Sequence, residues 1–160
     1  MQFNARAQAH FNWVDRMGWH NKSMLESLAL VASEIGESFD ECSGATATPA
    51  FEEELTDIAL RVMDLLQGLE VNIDLQLESV ELTWPLNLSL HSALGQLTVD
   101  LAKCVNACRG DSPTPALTLN LVVMLARVVA IAEGRGIDLA SQVDRKMAIN
   151  EQRGSRGRKV

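Results

Sequence analysis

The sequence predicts an all-α fold: a helical bundle built from two helical-hairpin repeats related by a pseudo-twofold axis. Three observations lead there. Apolar residues recur at spacings of three and four almost throughout, and no stretch alternates as a half-buried strand does. The punctuation is helical, with Ser, Thr or Asp ahead of the apolar runs and Gly behind them. The pattern also restarts near residue 89 and repeats the first half at an offset of 66 residues.

The first helix is expected from about Asn4 to Met17, stopped by Gly18. Ser23 and Glu26 form a capping box, each side chain satisfying a free backbone N–H, and open a second helix. Its apolar stripe reads Leu25, Leu28, Ala32, Ile35 and Phe39, ending near Gly44. A third begins at Thr48-Pro49, where proline costs no hydrogen bond, and turns Leu55, Ala59, Val62 and Leu66 inward before Gly68. A short helix follows from about Asn72 to Leu82. After a linker around Thr83-Trp84-Pro85, Ser89 caps a helix to about Cys108. A loop from Gly110 leads to Pro115, which opens a helix ending at Gly134. Asp138 caps a last helix to about Arg153, and a polar, basic tail occupies 154–160.

At the 66-residue offset Leu28 falls on Leu94, Cys42 on Cys108, Pro49 on Pro115 and Gly68 on Gly134. A two-residue gap then places Ile73-Asp74-Leu75 on Ile137-Asp138-Leu139. The expected organisation is one all-α domain, with repeat one at about 19–82, a linker at 83–88 and repeat two at about 89–153. Two such hairpins bury their apolar stripes against each other, as a covalently joined dimer.

The 160 residues carry 21 acids and 14 bases, a net charge of −7. A net acidic surface argues against general nucleic-acid binding. The start lacks a signal-peptide plan, and Leu117–Ala132, the longest apolar run, is broken by Asn120 and Arg127. Three cysteines, Cys42, Cys104 and Cys108, read as free thiols of a cytoplasmic protein. The charge is unevenly placed. Six of the 14 bases lie in 145–160, whereas 23–60 holds nine acids and no Lys or Arg.

Among those acids, Glu34 and Glu37 are three apart on the second helix, and Glu54 and Asp57 three apart on the third. Each pair shares one helical face, and antiparallel neighbours bring the two faces together. Four convergent carboxylates repel one another, and a divalent cation relieves that repulsion. Oxygen-only ligands suit Mg²⁺, with Mn²⁺ as a substitute. A solvated acidic face normally mixes in lysines; this one has none. The second copy has lost the pattern. Lys103 stands opposite Glu37, Asn120 opposite Glu54 and Val123 opposite Asp57, and only Asp100 keeps the acid of Glu34.

These residues resemble the all-α, MazG-like nucleoside triphosphate pyrophosphohydrolases. Leu30-Val-Ala-Ser-Glu34-Ile-Gly-Glu37 is similar to that family's Glu-x-x-Glu motif, and Glu53-Glu54-Leu-Thr-Asp57 to its Glu-x-x-Asp motif. Ile137-Asp-Leu, then Lys146-Met-Ala-Ile-Asn150-Glu-Gln-Arg153, resembles its closing Lys-x-x-x-Asn-x-x-Arg segment. In this chain the closing motif comes from the second half only. The resemblance implies Mg²⁺-dependent hydrolysis of a nucleoside triphosphate to the monophosphate and pyrophosphate, by water attack at the α-phosphorus. It implies metal on Glu34, Glu37, Glu54 and Asp57, and water oriented by Glu37, Glu41 or Glu53. Lys146, Asn150 and Arg153 would meet phosphates, and Trp19, with His20 and Lys22 beside it, the base. Trp13 and Trp19 are equally readable as core residues, and His10 and His91 as structural or exposed. Arg61, one turn beyond Asp57, is placed to pair with it.

Three other readings stay open: a same-fold phosphoribosyl-ATP pyrophosphohydrolase or dUTPase-like enzyme, an acidic helical module docking a basic partner, and DNA binding by the tail, which the acidic body disfavours. A homodimer of such pseudo-dimeric chains is compatible with the family's dimer-like sites, and no membrane partner is expected.

Overall fold

The computed structural model describes residues 2–43, 46–80, 88–108 and 114–154. Seven helices are present among them: α1 (Phe3–Arg16), α2 (Met24–Asp40), α3 (Phe51–Gly68), α4 (Ile73–Glu78), α5 (Leu90–Ala107), α6 (Pro115–Gly134) and α7 (Leu139–Arg153). The all-α expectation holds. The one addition is a two-residue ladder, β1 (Cys42–Ser43) against β2 (Thr46–Ala47), which turns α2 back onto α3. The expected linker at 83–87, the loop at 109–113 and the tail at 155–160 lie outside the described residues.

Most boundaries follow the predicted punctuation. Ser23 and Glu26 form the capping box of α2, and Ser89, Thr114 and Asp138 N-cap α5, α6 and α7 with their side-chain oxygens. Three readings need correction. The short helix ends at Glu78, with Ser79 as its C-cap, rather than near Leu82. α3 starts at Phe51, not at Pro49: Thr48 Oγ1 takes the amide of Ala50, and the chain turns once before the helix. On α2 the buried stripe is Leu28, Val31 and Ile35, while Leu25 is 49 % exposed and Ala32 also faces out. Val31 lies three residues after Leu28 and four before Ile35, so it extends that stripe; Leu25 and Ala32 fall on its edges.

The helices pack in reciprocal pairs. α2 lies on α3 and α5 on α6, and the pairs join through α2–α5 and α3–α6. The short α4, which follows α3, packs on α6, and α7, which follows α6, packs on α3. α1 covers α3 and touches α7. One hydrophobic core runs through all seven helices, from Phe3 and Leu28 to Leu121 and Val143. α6 is long and apolar enough to cross a membrane, with mean hydropathy 2.0, and more than half of that window is buried in this core.

Features recur at the 66-residue offset. Ser23 and Ser89 both N-cap, as do Asn72 and Asp138. Glu70 and Gly136 both take positive φ, at 57° and 70°. Val71 N donates to Leu66 O as Ile137 N does to Ala132 O. The counterpart of Asp138 is therefore Asn72 with no gap, not Asp74. Asp74 instead accepts the amides of Phe3 and Asn4 at 2.7 and 3.2 Å, capping α1 from α4.

Candidate metal and nucleotide site

α3 opens with Glu52, Glu53 and Glu54 in its first turn, where the positive end of the helix dipole favours carboxylates. Spacings of three and four then set Glu54, Asp57, Arg61 and Asp64 along one face. Glu34 of α2 meets this face. Ligand-capable oxygens of Glu34, Glu54 and Asp57 lie within 4.8 Å of one another. Three of the four expected metal ligands therefore converge. Glu37, the fourth, lines the same cavity but stands outside this triad, exposed, with Ser33 Oγ donating to it at 3.1 Å.

The crowding is visible in the protonation of the carboxyls. Burial, then repulsion from Asp57 and Glu37, pushes Glu54 up to about 7. Burial also raises Asp57, against a hydrogen bond from Lys146 that opposes the shift. Three oxygen donors and a strained proton balance make a donor set that suits a hard divalent cation.

The second half supplies the cation that faces these acids. α7 turns Gln142, Lys146, Asn150 and Arg153 to one side. Gln142 Nε2 donates to Glu52 at 3.0 Å, and Lys146 Nζ to Glu53 at 2.6 Å and to Asp57 at 2.7 Å. Burial pulls the Lys146 ammonium down, and its bonds with Asp57 and Glu53 more than offset that. The same contact holds Glu53 below the usual carboxylate range, which makes Glu53 a poor base. Glu41 caps the end of α2 and accepts from Thr48 Oγ1 across the hairpin, and it does not line the cavity.

Arg61 does not pair with Asp57, contrary to the sequence expectation. Its Nε and Nη2 both donate to Glu34 Oε1, at 3.0 and 2.9 Å. Its counterpart at the 66-residue offset, Arg127, donates from Nε to Asp100 at 2.6 Å. Asp100 is 1 % exposed and also meets Lys103 at 3.3 Å. The second half thus keeps the ion pair and lacks the acids around it.

A cavity of about 910 Å³ opens from the acids toward α1. Glu34, Glu37, Asp57 and Lys146 line one end, with Asn150 and Arg153 beside them. Trp13, Trp19, Phe11 and His10 line the other, with His20, Asn21 and Lys22. Trp19 stands edge-on to the buried Trp13 with centroids 5.1 Å apart, so the two rings form one aromatic wall. Lys22 Nζ donates to Asn21, and His20 Nε2 meets Asp64 at 3.0 Å. The seven-residue step along α3 from Asp57 to Asp64 spans about 10 Å.

Sequence reasoning missed His10. It is 7 % exposed, stacks on Trp13, and its Nδ1 has no hydrogen-bond partner among the described residues. Burial and the nearby Arg61 hold it near a pKa of about 4, so it is neutral at pH 7. Its place on the α1 helix, three residues before Trp13, gave no sign that its ring is buried beside a cavity. Arg61 left a signal: its match to Arg127 belongs to the same offset that revealed the repeat.

Comparison of the chain with protein-family models, with curated proteins and with solved structures finds no match in any of the three.

Proposed function

We propose that the chain is a divalent-cation-dependent nucleoside triphosphate pyrophosphohydrolase, as the resemblance of its acidic and closing motifs implies. The observation that carries the reading is the meeting of the Glu34, Glu54 and Asp57 oxygens, within 4.8 Å of one another, with Glu34 and Asp57 lining a cavity that Trp13 and Trp19 also line. A nucleotide has matching ends: polyphosphate at the acids, base at Trp13 and Trp19.

Glu34, Glu54 and Asp57 would hold Mg²⁺, or Mn²⁺ in its place. When bound, the cation supplies charge neutralisation for the phosphates. Lys146, Asn150 and Arg153 bind the departing pyrophosphate from the α7 side, with Lys146 exchanging its carboxylate partners for phosphate oxygens. Of the three carboxylates considered for orienting water, Glu53 is held ionised by Lys146 and Glu41 lies away from the cavity. Glu37, exposed in the wall and bound by no cation among the described residues, is the one left to orient the water at the α-phosphorus.

We also infer that the two halves are copies of one hairpin unit related by a pseudo-twofold axis. The shared caps, the two positive-φ residues and the twin pairs Glu34–Arg61 and Asp100–Arg127 support this. The first half carries the acids and the second carries the phosphate-binding side chains.

The test is Mn²⁺ calorimetry with a pyrophosphate-release screen over ribo- and deoxyribonucleotides. Wild type should bind the ion and release pyrophosphate. Glu34→Gln and Asp57→Asn should lower turnover by about a hundredfold or more, with the fold intact. Lys103→Gln should leave ion binding unchanged. Ion binding that survives both carboxylate changes sinks the assignment.

A further inference from the structure

The connection from α1 to α2, residues 17–23, borders the aromatic end of the cavity. It leaves α1 through Gly18 at φ 69°, a conformation glycine adopts without strain. Trp19 N still donates to Val14 O at 3.1 Å, and Ser23 begins the cap of α2. Between these anchors, the backbone of 20–22 makes no hydrogen bond to the rest of the fold among the described residues. What ties this stretch down is one side chain. His20 Nε2 lies 3.0 Å from Asp64 Oδ1 on α3, and Nδ1 lies 3.5 Å from Asp15 Oδ1 on α1. Its ring rests on Phe11 with centroids 4.2 Å apart. Phe11 reaches that position because Gly68 of α3 leaves room; a Cβ there would meet Phe11 Cε2 at 3.3 Å.

The Nε2 edge is thus held by Asp64 and the ring face by a phenyl ring, while Nδ1 lies 3.5 Å from the exposed Asp15. A neutral imidazole has a single N–H to donate, so the Asp64 contact is the one that anchors the ring. Asp64 is half-buried and, through burial, raised above the ordinary range, and a buried carboxyl is best satisfied by a donor held against it.

We propose that His20 is a positioning residue: through its Nε2 contact with Asp64 it clamps the α1–α2 connection against α3, and so holds Trp19 as the aromatic wall of the nucleotide cavity. The proposal rests on the nucleotide reading for its substrate and on geometry alone for the clamp. Breaking this contact frees residues 20–22 and loosens the Trp19 ring, while the acids, about two or more helical turns along α3, keep their arrangement. Base binding weakens and the hydrolytic step does not.

The test uses the full chain with His20→Ala, Asp64→Ala and the double variant. Acrylamide quenching of tryptophan fluorescence reads the clamp directly, with Trp19→Phe identifying the Trp19 share. Each single variant should raise Trp19 quenching about twofold, and the double variant should add nothing, because both remove one link. Under steady-state hydrolysis KM should rise about tenfold with kcat within twofold. His20→Gln, which keeps one donor, should restore part of the loss. Unchanged quenching, additive effects or a fall in kcat at constant KM each overturn the proposal. If quenching behaves as expected but wild type hydrolyses no nucleotide, the clamp stands and the nucleotide reading fails.

Discussion

Arg127 holds Asp100 at 2.6 Å beneath the surface of the second hairpin, 66 residues beyond the place where Arg61 holds Glu34. No triad of acids surrounds this second pair among the described residues, and Arg127 there satisfies a buried carboxylate. Arg127→Met should cost about 3 kcal/mol, because it leaves the buried charge of Asp100 with Lys103 as its one remaining partner among the described residues. Changing both partners, Asp100→Leu with Arg127→Met, should recover most of that loss. Arg61→Met should cost less, since its side chain is 41 % exposed and Glu34 borders an open cavity. Urea denaturation of the four proteins measures the order.

Glu54 sets a pH dependence with a definite sign. Its ordinary value of 4.5 rises to about 7 in the fold, so between those values the folded chain binds more protons than the unfolded one. Stability without divalent cations should therefore fall as pH rises from about 4.5 to 7, then level off. Asp57, also raised, acts in the same direction. Glu53, lowered by Lys146, contributes stability above the ordinary value that is lost as pH falls below it. Glu54→Gln should flatten the slope, and so should Mg²⁺. Thermal melts across this range check both.

Lys146 competes with a cation for Asp57. Lys146→Met should tighten Mn²⁺ binding by about tenfold, because a positive charge leaves the carboxylates, and should still lower turnover by about a hundredfold through loss of a phosphate contact. Calorimetry and pyrophosphate release then move in opposite directions. A purely structural lysine moves both downward through misfolding.

Glu70 occupies a left-handed position that its counterpart Gly136 fills without strain. Glu70→Gly should leave the fold unchanged and raise stability by up to about 1 kcal/mol. Gly136→Glu should lower it by a similar amount, as read by chemical denaturation.

These positions mark how far the sequence was legible. Helix ends were readable because Ser23, Ser89 and Asp138 advertise them by local chemistry. The start of α3 was misplaced because Thr48 satisfies Ala50 instead of letting the helix begin at Pro49. Spacing alone brought Glu34, Glu54 and Asp57 together. It failed for Arg61, where two partners were within reach. Helical spacing favoured Asp57, one turn away, and packing chose Glu34 on another helix. His10 and Asp64 were illegible for a related reason. Their meaning lies in a cavity between α1 and α3, and nothing in local periodicity encodes which face of α1 borders empty space.

The contact between Lys146 and Glu53 joins residues 93 positions apart. A chain that has made α2 and α3 but not docked α7 carries its carboxylates with no ammonium against them. Such a chain is a self-repelling hairpin, so the acids oppose early compaction and reward the last helix for arriving. Closing that long loop is an entropic barrier. Refolding should speed up in mild acid or with divalent ions, which quiet the hairpin before α7 docks. The side chain proposed to meet phosphate would then also report that the fold is complete.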